Sequence, residues 1–164
     1  MNMKTNLLFA SAFLCTVACQ TSGPLALLKG NDFAGWHQPV GAEAAHWTLR
    51  DARLTCEAPA QPIWTEQEFG DFEVTLDVRL IEGRPVAVLF ARGAKGFQIS
   101  LEPKPTGEWS HIKVRFEGDL NDVDIDGQAS AGLMRGVAKS GAIGLSVEGS
   151  GSVEFVRVGV HKLR

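Results

Sequence analysis

Between Phe72 and Leu80 the side chains alternate without a slip: Phe72, Val74, Leu76, Val78 and Leu80 are apolar, and Glu73, Thr75, Asp77 and Arg79 between them are polar. A helix would scatter this apolar set around its circumference, whereas a strand gathers it on one face. The stretch predicts a strand with one buried and one polar face. Its register is firmly set, because a shift of one residue would turn every apolar group to water. Gly70 breaks the chain before it, and Ile63-Trp64-Thr65 offers a second short extended piece. A ligand-recognition surface is expected on the polar side of this sheet or at its rim.

The same period recurs along the chain. Trp47 and Leu49 face Leu54 and Cys56 across Arg50-Asp51-Ala52, which predicts a tight hairpin, with Ala standing where such turns prefer Gly. Residues 37–45 have no period and are expected as loop, and Ile81–Pro85 as a turn. Val86–Arg92 is an apolar run closed by a charge, the pattern of a central strand buried on both faces. Phe97, Ile99 and Leu101 alternate with Gln98, Ser100 and Glu102, and Ile112, Val114 and Phe116 with His111, Lys113 and Arg115. A short strand is expected over "DVDIDG", then loop over 128–141, where Gly132 and Gly136 interrupt the apolar positions. "AIGLSVE" and "VEFVRVGVHKL" complete the set, the latter with a parity change that predicts a bulge near Phe155. Roughly ten strands at spacings of about 8–12 residues, with no helical period, predict an all-β antiparallel sandwich.

At 164 residues, 45% hydrophobic and 21% charged, the chain has the size and composition of one folded domain. A net charge of −3 argues against a nucleic-acid partner, which would need a basic face. The first residues are of a different kind. Lys4, an apolar run from Leu7 to Val17 and a closing Ala18-Cys19 have the proportions of an export signal, too short to span a bilayer, which takes roughly 20 residues. "TVAC" approximates a bacterial lipobox, with Thr16 where Leu is usual. Cys19 is therefore the expected lipidation site, and simple cleavage after Ala18 is the alternative. Residues 1–19 are read as signal, 20–24 as tether and 25–164 as the domain. The expected location is the periplasm or, with Gln20 following the cysteine, the outer membrane, with the lipid as the sole membrane contact. Cys56, left without a partner, is expected to be a small buried apolar residue.

Five stretches, "LLKGNDFAGW", "HWTLRDARLTC", "IWTEQEFGDFEVTLDVRL", "GEWSHIKVRFEGDLNDVDIDG" and "SGAIGLSVEGSGSVEFVRVGVHKL", together resemble, in order, the 3-keto-disaccharide hydrolase domain family over residues 27–163. The resemblance implies a concanavalin A-like jelly roll, an exported bacterial protein and action on 3-keto-glycosides, by cleavage or eliminative opening, sometimes with a divalent metal. The site departs from the family pattern. Pro85-Val86-Ala87-Val88 replaces an Asn-Ser-Gly-Ile type of step, and Arg92 matches the strand-end Arg. Gln98 stands where Glu is usual and Ser100 where Gln is usual. Glu102 lies near the usual acid, and a long loop is reduced to "PKPTGE".

Cleavage of a 3-keto sugar can begin with removal of the acidified hydrogen at C2, which needs a base and a group to stabilise the enolate. Glu102 is the candidate base and Arg92 the candidate stabiliser, with Gln98 and Ser100 as hydroxyl binders on Glu102's strand face. A solvated polar face is the plain alternative. Gln98 cannot exchange a proton as the replaced Glu could. Trp64 is a candidate platform for a sugar ring or a rim tryptophan, and Trp36, Trp47 and Trp109 are expected in the core. Asp77 and Arg79 are expected as a same-face ion pair. Asp122, Asp124 and Asp126 imitate the start of an EF-hand loop, but Leu133 takes the twelfth position and no helix flanks it, so an acidic strand is expected. The four histidines show no zinc spacing. Two functions remain: a trimmed enzyme acting on 3-keto-glycosides, and a non-catalytic carbohydrate-binding or cell-envelope module.

Overall fold

A computed structural model describes residues 23–163 apart from 106, 134 and 135. The expected leader and Cys19 lie outside the described residues. Ten strands follow in order: β1 (Leu25–Ala26), β2 (Trp36–His37), β3 (Trp47–Arg50), β4 (Arg53–Phe69), β5 (Phe72–Ala91), β6 (Phe97–Leu101), β7 (Trp109–Glu117), β8 (Leu120–Ile125), β9 (Gln128–Leu133) and β10 (Gly141–Lys162). A 3-10 turn, Gly41–His46, occupies most of the stretch expected as loop. All the strand pairings are antiparallel, so the fold is the all-β sandwich that the alternation predicts.

Three long strands build both layers. The first parts of β4 and β5 and the last part of β10 join β1, β3, β7, β8 and β9 in one layer. The remaining parts join β2 and β6 in the other. The fold line crosses Gly83 of β5 and its partner Gly151 of β10, both at positive φ. A Cβ on Gly83 would lie 2.4 Å from the Ser150 carbonyl oxygen, and one on Gly151 would lie 2.1 Å from that of Glu82. Only glycine fits such a crossing. The turn expected over Ile81–Pro85 is therefore a bend inside one continuous strand, and the two C-terminal segments expected as separate strands are one.

Between the layers lies one core that includes Phe69, Phe72, Phe116, Phe155, Leu54 and Ile63, each at most 2% exposed. Burying such a side chain stabilises the fold by about 1.5–3 kcal/mol. Phe97 of one layer meets Phe116 of the other edge-on, with ring centroids 5.5 Å apart. Trp36 and Trp47 are in the core as expected, and so is Cys56, whose thiol is pushed up to about 12, mainly by burial and further by the Glu57 charge. Trp109 is not: it is half-buried, with the Arg79 guanidinium 4.7 Å from its ring. The hairpin at Asp51-Ala52 forms with both residues at positive φ, as a two-residue mirror-image turn requires. Residues 128–133, expected as loop, form β9, paired along its length with β8. The bulge expected near Phe155 falls two to three residues on, between Val156 and Gly159.

Candidate functional site

Register alone assembles the first part of the site. Pairings place His37, Trp64, Gly144, Phe90 and Gln98 in one row across β2, β4, β10, β5 and β6. The next row carries Ser146, Val88 and Ser100. Cross-strand partners project to the same side of a sheet. The intervening row, Leu145 and Leu89, enters the core, so these residues share the outer face.

Gly144 shapes this face. The six-membered ring of Trp64 lies over it so closely that a Cβ there would meet Cζ3 at 2.5 Å. The indole thus crosses β10 and reaches Phe90, ring centroids 5.2 Å apart at 46°. Beside them Val88 is fully buried although it faces away from the core. Trp64 and Phe90 are themselves half-exposed, while Gln98 and Ser100 are exposed. Among the described residues, neither Gln98 nor Ser100 makes a side-chain hydrogen bond, so an amide and a hydroxyl stand free beside an aromatic surface. Trp64, Gln98 and Ser100 thus share one face; the strand pattern set Gln98 and Ser100 side by side, and pairing through β10 and β5 brings Trp64 to them. Phe90, Gly144 and Ser146 were missed, because they reach this face only through pairings between distant segments.

Two expected members lie outside these rows. Glu102 is exposed just beyond the end of β6, outside the paired rows. Arg92 follows β5 with φ of 61°, and its side chain is 1% exposed. Its guanidinium donates to the Gly118 carbonyl at 2.8 Å, to the Gly70 carbonyl at 3.2 Å and to the Asp71 carboxylate at 3.0 Å, beneath the Phe116 ring. A charge can end an apolar strand when internal acceptors satisfy it. Arg92 ties three chain segments together, and its role is structural rather than that of an enolate stabiliser. No three His, Cys, Asp or Glu side chains converge among the described residues, so the divalent metal that the resemblance implies finds no donor set there.

The outer face of the other layer is charged. Asp77 and Arg79 do not pair with one another. Asp77 accepts from His111 Nδ1 and Arg157 Nε, and Glu154 accepts from Arg79 Nε at 2.6 Å and Arg53 at 2.7 Å. Burial pushes the Glu154 carboxyl up, but hydrogen bonds and charge from the two arginines outweigh it and hold the group below its ordinary range. Asp126 is also held low, first by the His111 backbone N–H, against a smaller effect of burial, and then by Lys104. Asp124 accepts from the Gly127 N–H. The run that imitates a calcium loop spends two of its carboxylates on its own turn and neighbours.

No protein-family model matches the chain, and no curated protein matches its sequence. Solved structures share its fold. A proposed glycosyl hydrolase from Parabacteroides distasonis superposes with a TM-score of 0.67 at 15% identity, over 85% of this chain and 99% of that one. The carbohydrate binding module CBM66 from Bacillus subtilis gives 0.63 at 17% identity, over 78% and 96%. The Bacillus licheniformis β-glucanase gives 0.64 at 9%, over 88% and 100%. At these identities the likeness shows the fold alone: an antiparallel sandwich of the concanavalin-like jelly-roll kind.

Proposed function

We propose that this chain is a carbohydrate-binding domain whose ligand lies on the Trp64–Phe90 face. The observation that carries this reading is the indole held across Gly144, beside an amide and a hydroxyl that have no partner among the described residues. The C–H face of a pyranose suits such a ring, and Gln98 and Ser100 offer donors and acceptors for its hydroxyls. A fold shared with a carbohydrate binding module and a β-glucanase supports it. Calorimetric titration against a glycan panel tests it. Trp64→Ala should weaken the ligand found by about tenfold or more with the domain still folded. A ligand that binds equally well without the indole would refute the assignment.

Cleavage of 3-keto-glycosides is the second reading, favoured by the resemblance along the whole domain and the fold shared with the Parabacteroides protein. It leaves Glu102 to take the C2 proton without Arg92 to hold the enolate. Incubation with 3-keto-disaccharides, with and without Mn²⁺, decides between the two readings. Product formation abolished by Glu102→Gln is the expected signature of the enzyme, and intact substrate that of the binding module. Export and lipid attachment at Cys19 belong to the same proposal. Mass spectrometry of membrane-extracted protein checks them, and an unmodified Cys19 in the soluble fraction would remove the anchor.

A further inference from the structure

On the charged outer face, a depression of about 800 Å³ lies between the hairpin at Asp51-Ala52, the chain near β1 and the last part of β10. Its size falls within the roughly 300–1,000 Å³ of small-molecule sites. Its walls are largely apolar, from Ala26, Leu28, Ala52, Trp109, Val156 and Val158. Two arginines, Arg53 and Arg157, also line it, and Arg157 Nη2 lies 3.3 Å from His111 Nδ1. Each is held at one end by a carboxylate whose side chain is 7% exposed: Arg53 by Glu154 and Arg157 by Asp77. The β10 bulge, with Arg157 at φ of 52°, puts Arg157 within reach of Asp77. Bulges commonly re-aim a side chain in this way. The remaining N–H groups of Arg53 have no acceptor among the described residues, and Arg157 Nη1 has none either. Asp51 is the one acidic residue in the lining.

Anchored guanidinium groups with spare donors above an apolar wall match a flat-bodied acid, since the Arg fork takes a carboxylate through paired N–H bonds. We propose that this depression is a binding site for a ring-bearing carboxylate of monosaccharide size, such as a hexuronate. It is separate from the Trp64 face and stands whether or not that face binds sugar.

The test is calorimetric titration of the purified chain with glucuronate, cyclohexanecarboxylate and neutral glucose. At least one acid should bind where glucose does not, and which of the two binds tells a sugar acid from an apolar one. Arg53→Ala and Arg157→Asn should each weaken that acid about tenfold or more. Asn is chosen because it tolerates the left-handed backbone at position 157, and Arg53, more than half exposed, can be removed should the 157 variant unfold. Asp51→Asn should tighten binding, and Trp64→Ala should leave it unchanged. Failure of both acids to bind at millimolar concentration, or binding that survives loss of both arginines, overturns the proposal.

Discussion

The two outer faces obey one rule of alternation and reach opposite chemical states. On the charged layer two carboxylates gather the nearby cations: Glu154 holds Arg53 and Arg79, and Asp77 holds His111 and Arg157. On the aromatic layer Gln98 and Ser100 stay unpaired, and Trp64 and Phe90 stand where the other face has ion pairs. A polar strand face can thus be knit together by charge or left open beside aromatic rings. The aromatic face sets a free amide and a free hydroxyl next to an indole, whereas the charged face gathers its cations around Asp77 and Glu154. The difference arises from glycine as much as from charge, since Gly144 gives the indole room to lie down.

The largest expected effect tests which side of that contrast Arg92 belongs to. By parity it continues the row of Val88 and Phe90, but its left-handed backbone turns it into internal contacts. Arg92→Ala should destabilise the domain by about 3 kcal/mol or more in urea unfolding, because it strands buried acceptors and removes a buried charge partner. Sugar binding at temperatures where the variant is still folded should be unchanged. Lost binding with full stability would return Arg92 to the open face.

Much of the architecture was legible because the strands on either side of the core alternate cleanly, as in Phe72–Leu80 and Ile112–Phe116. What escaped depended on partners distant in sequence. Gly83 looks like a turn until Gly151, which pairs with it, is placed opposite. Residues 128–133 carry little strand signal of their own and become β9 only against β8. Gln98 and Ser100 could be placed on a polar face from local parity, but Trp64, Gly144 and Phe90 joined their row only through pairing. Arg92 was taken for a ligand-facing group because it closes an apolar strand, and its acceptors at Gly70, Asp71 and Gly118 lie some 21 to 26 residues away, where no local pattern shows them.

On the charged face, Glu154→Gln should lower stability by about 1.5–3 kcal/mol near neutral pH, since two arginines lose a buried charged acceptor. The pH dependence has a definite sign. The folded-state pKa is depressed, so the unfolded chain binds the proton more readily. The contribution is complete above the unfolded value of about 4.3 and is lost as pH falls through the folded one. Thermal unfolding from neutral pH into acid should therefore show the gap between wild type and Glu154→Gln closing below about pH 4.3. A constant gap across that range would mean that Glu154 does not complete this network as a carboxylate.

Gly144→Ala probes the aromatic face directly. Its methyl would overlap the Trp64 ring, forcing the indole off β10 at a cost of about 1–3 kcal/mol. Tryptophan fluorescence should shift toward the exposed value, and sugar binding should fall together with it. Unchanged fluorescence and binding would show that the indole does not depend on this glycine.

The smallest effect is also the most selective. Ser100 is exposed, contacts no polar partner among the described residues and lies in the row beside Trp64, so the folded domain gains almost nothing from its hydroxyl. Ser100→Ala should leave the unfolding midpoint within error, as surface substitutions away from networks do. A hydroxyl that bonds a bound sugar contributes about 0.5–1.5 kcal/mol, a factor of roughly 2 to 10 in affinity. The same substitution at a residue of the closed network would affect stability and have no effect on this ligand. Titration of Ser100→Ala beside Arg79→Ala, a partly buried arginine held by Glu154 on the charged layer, separates the two cases. Weaker binding in the first variant alone places the sugar on the aromatic face, and equal affinity in both removes Ser100 from the site.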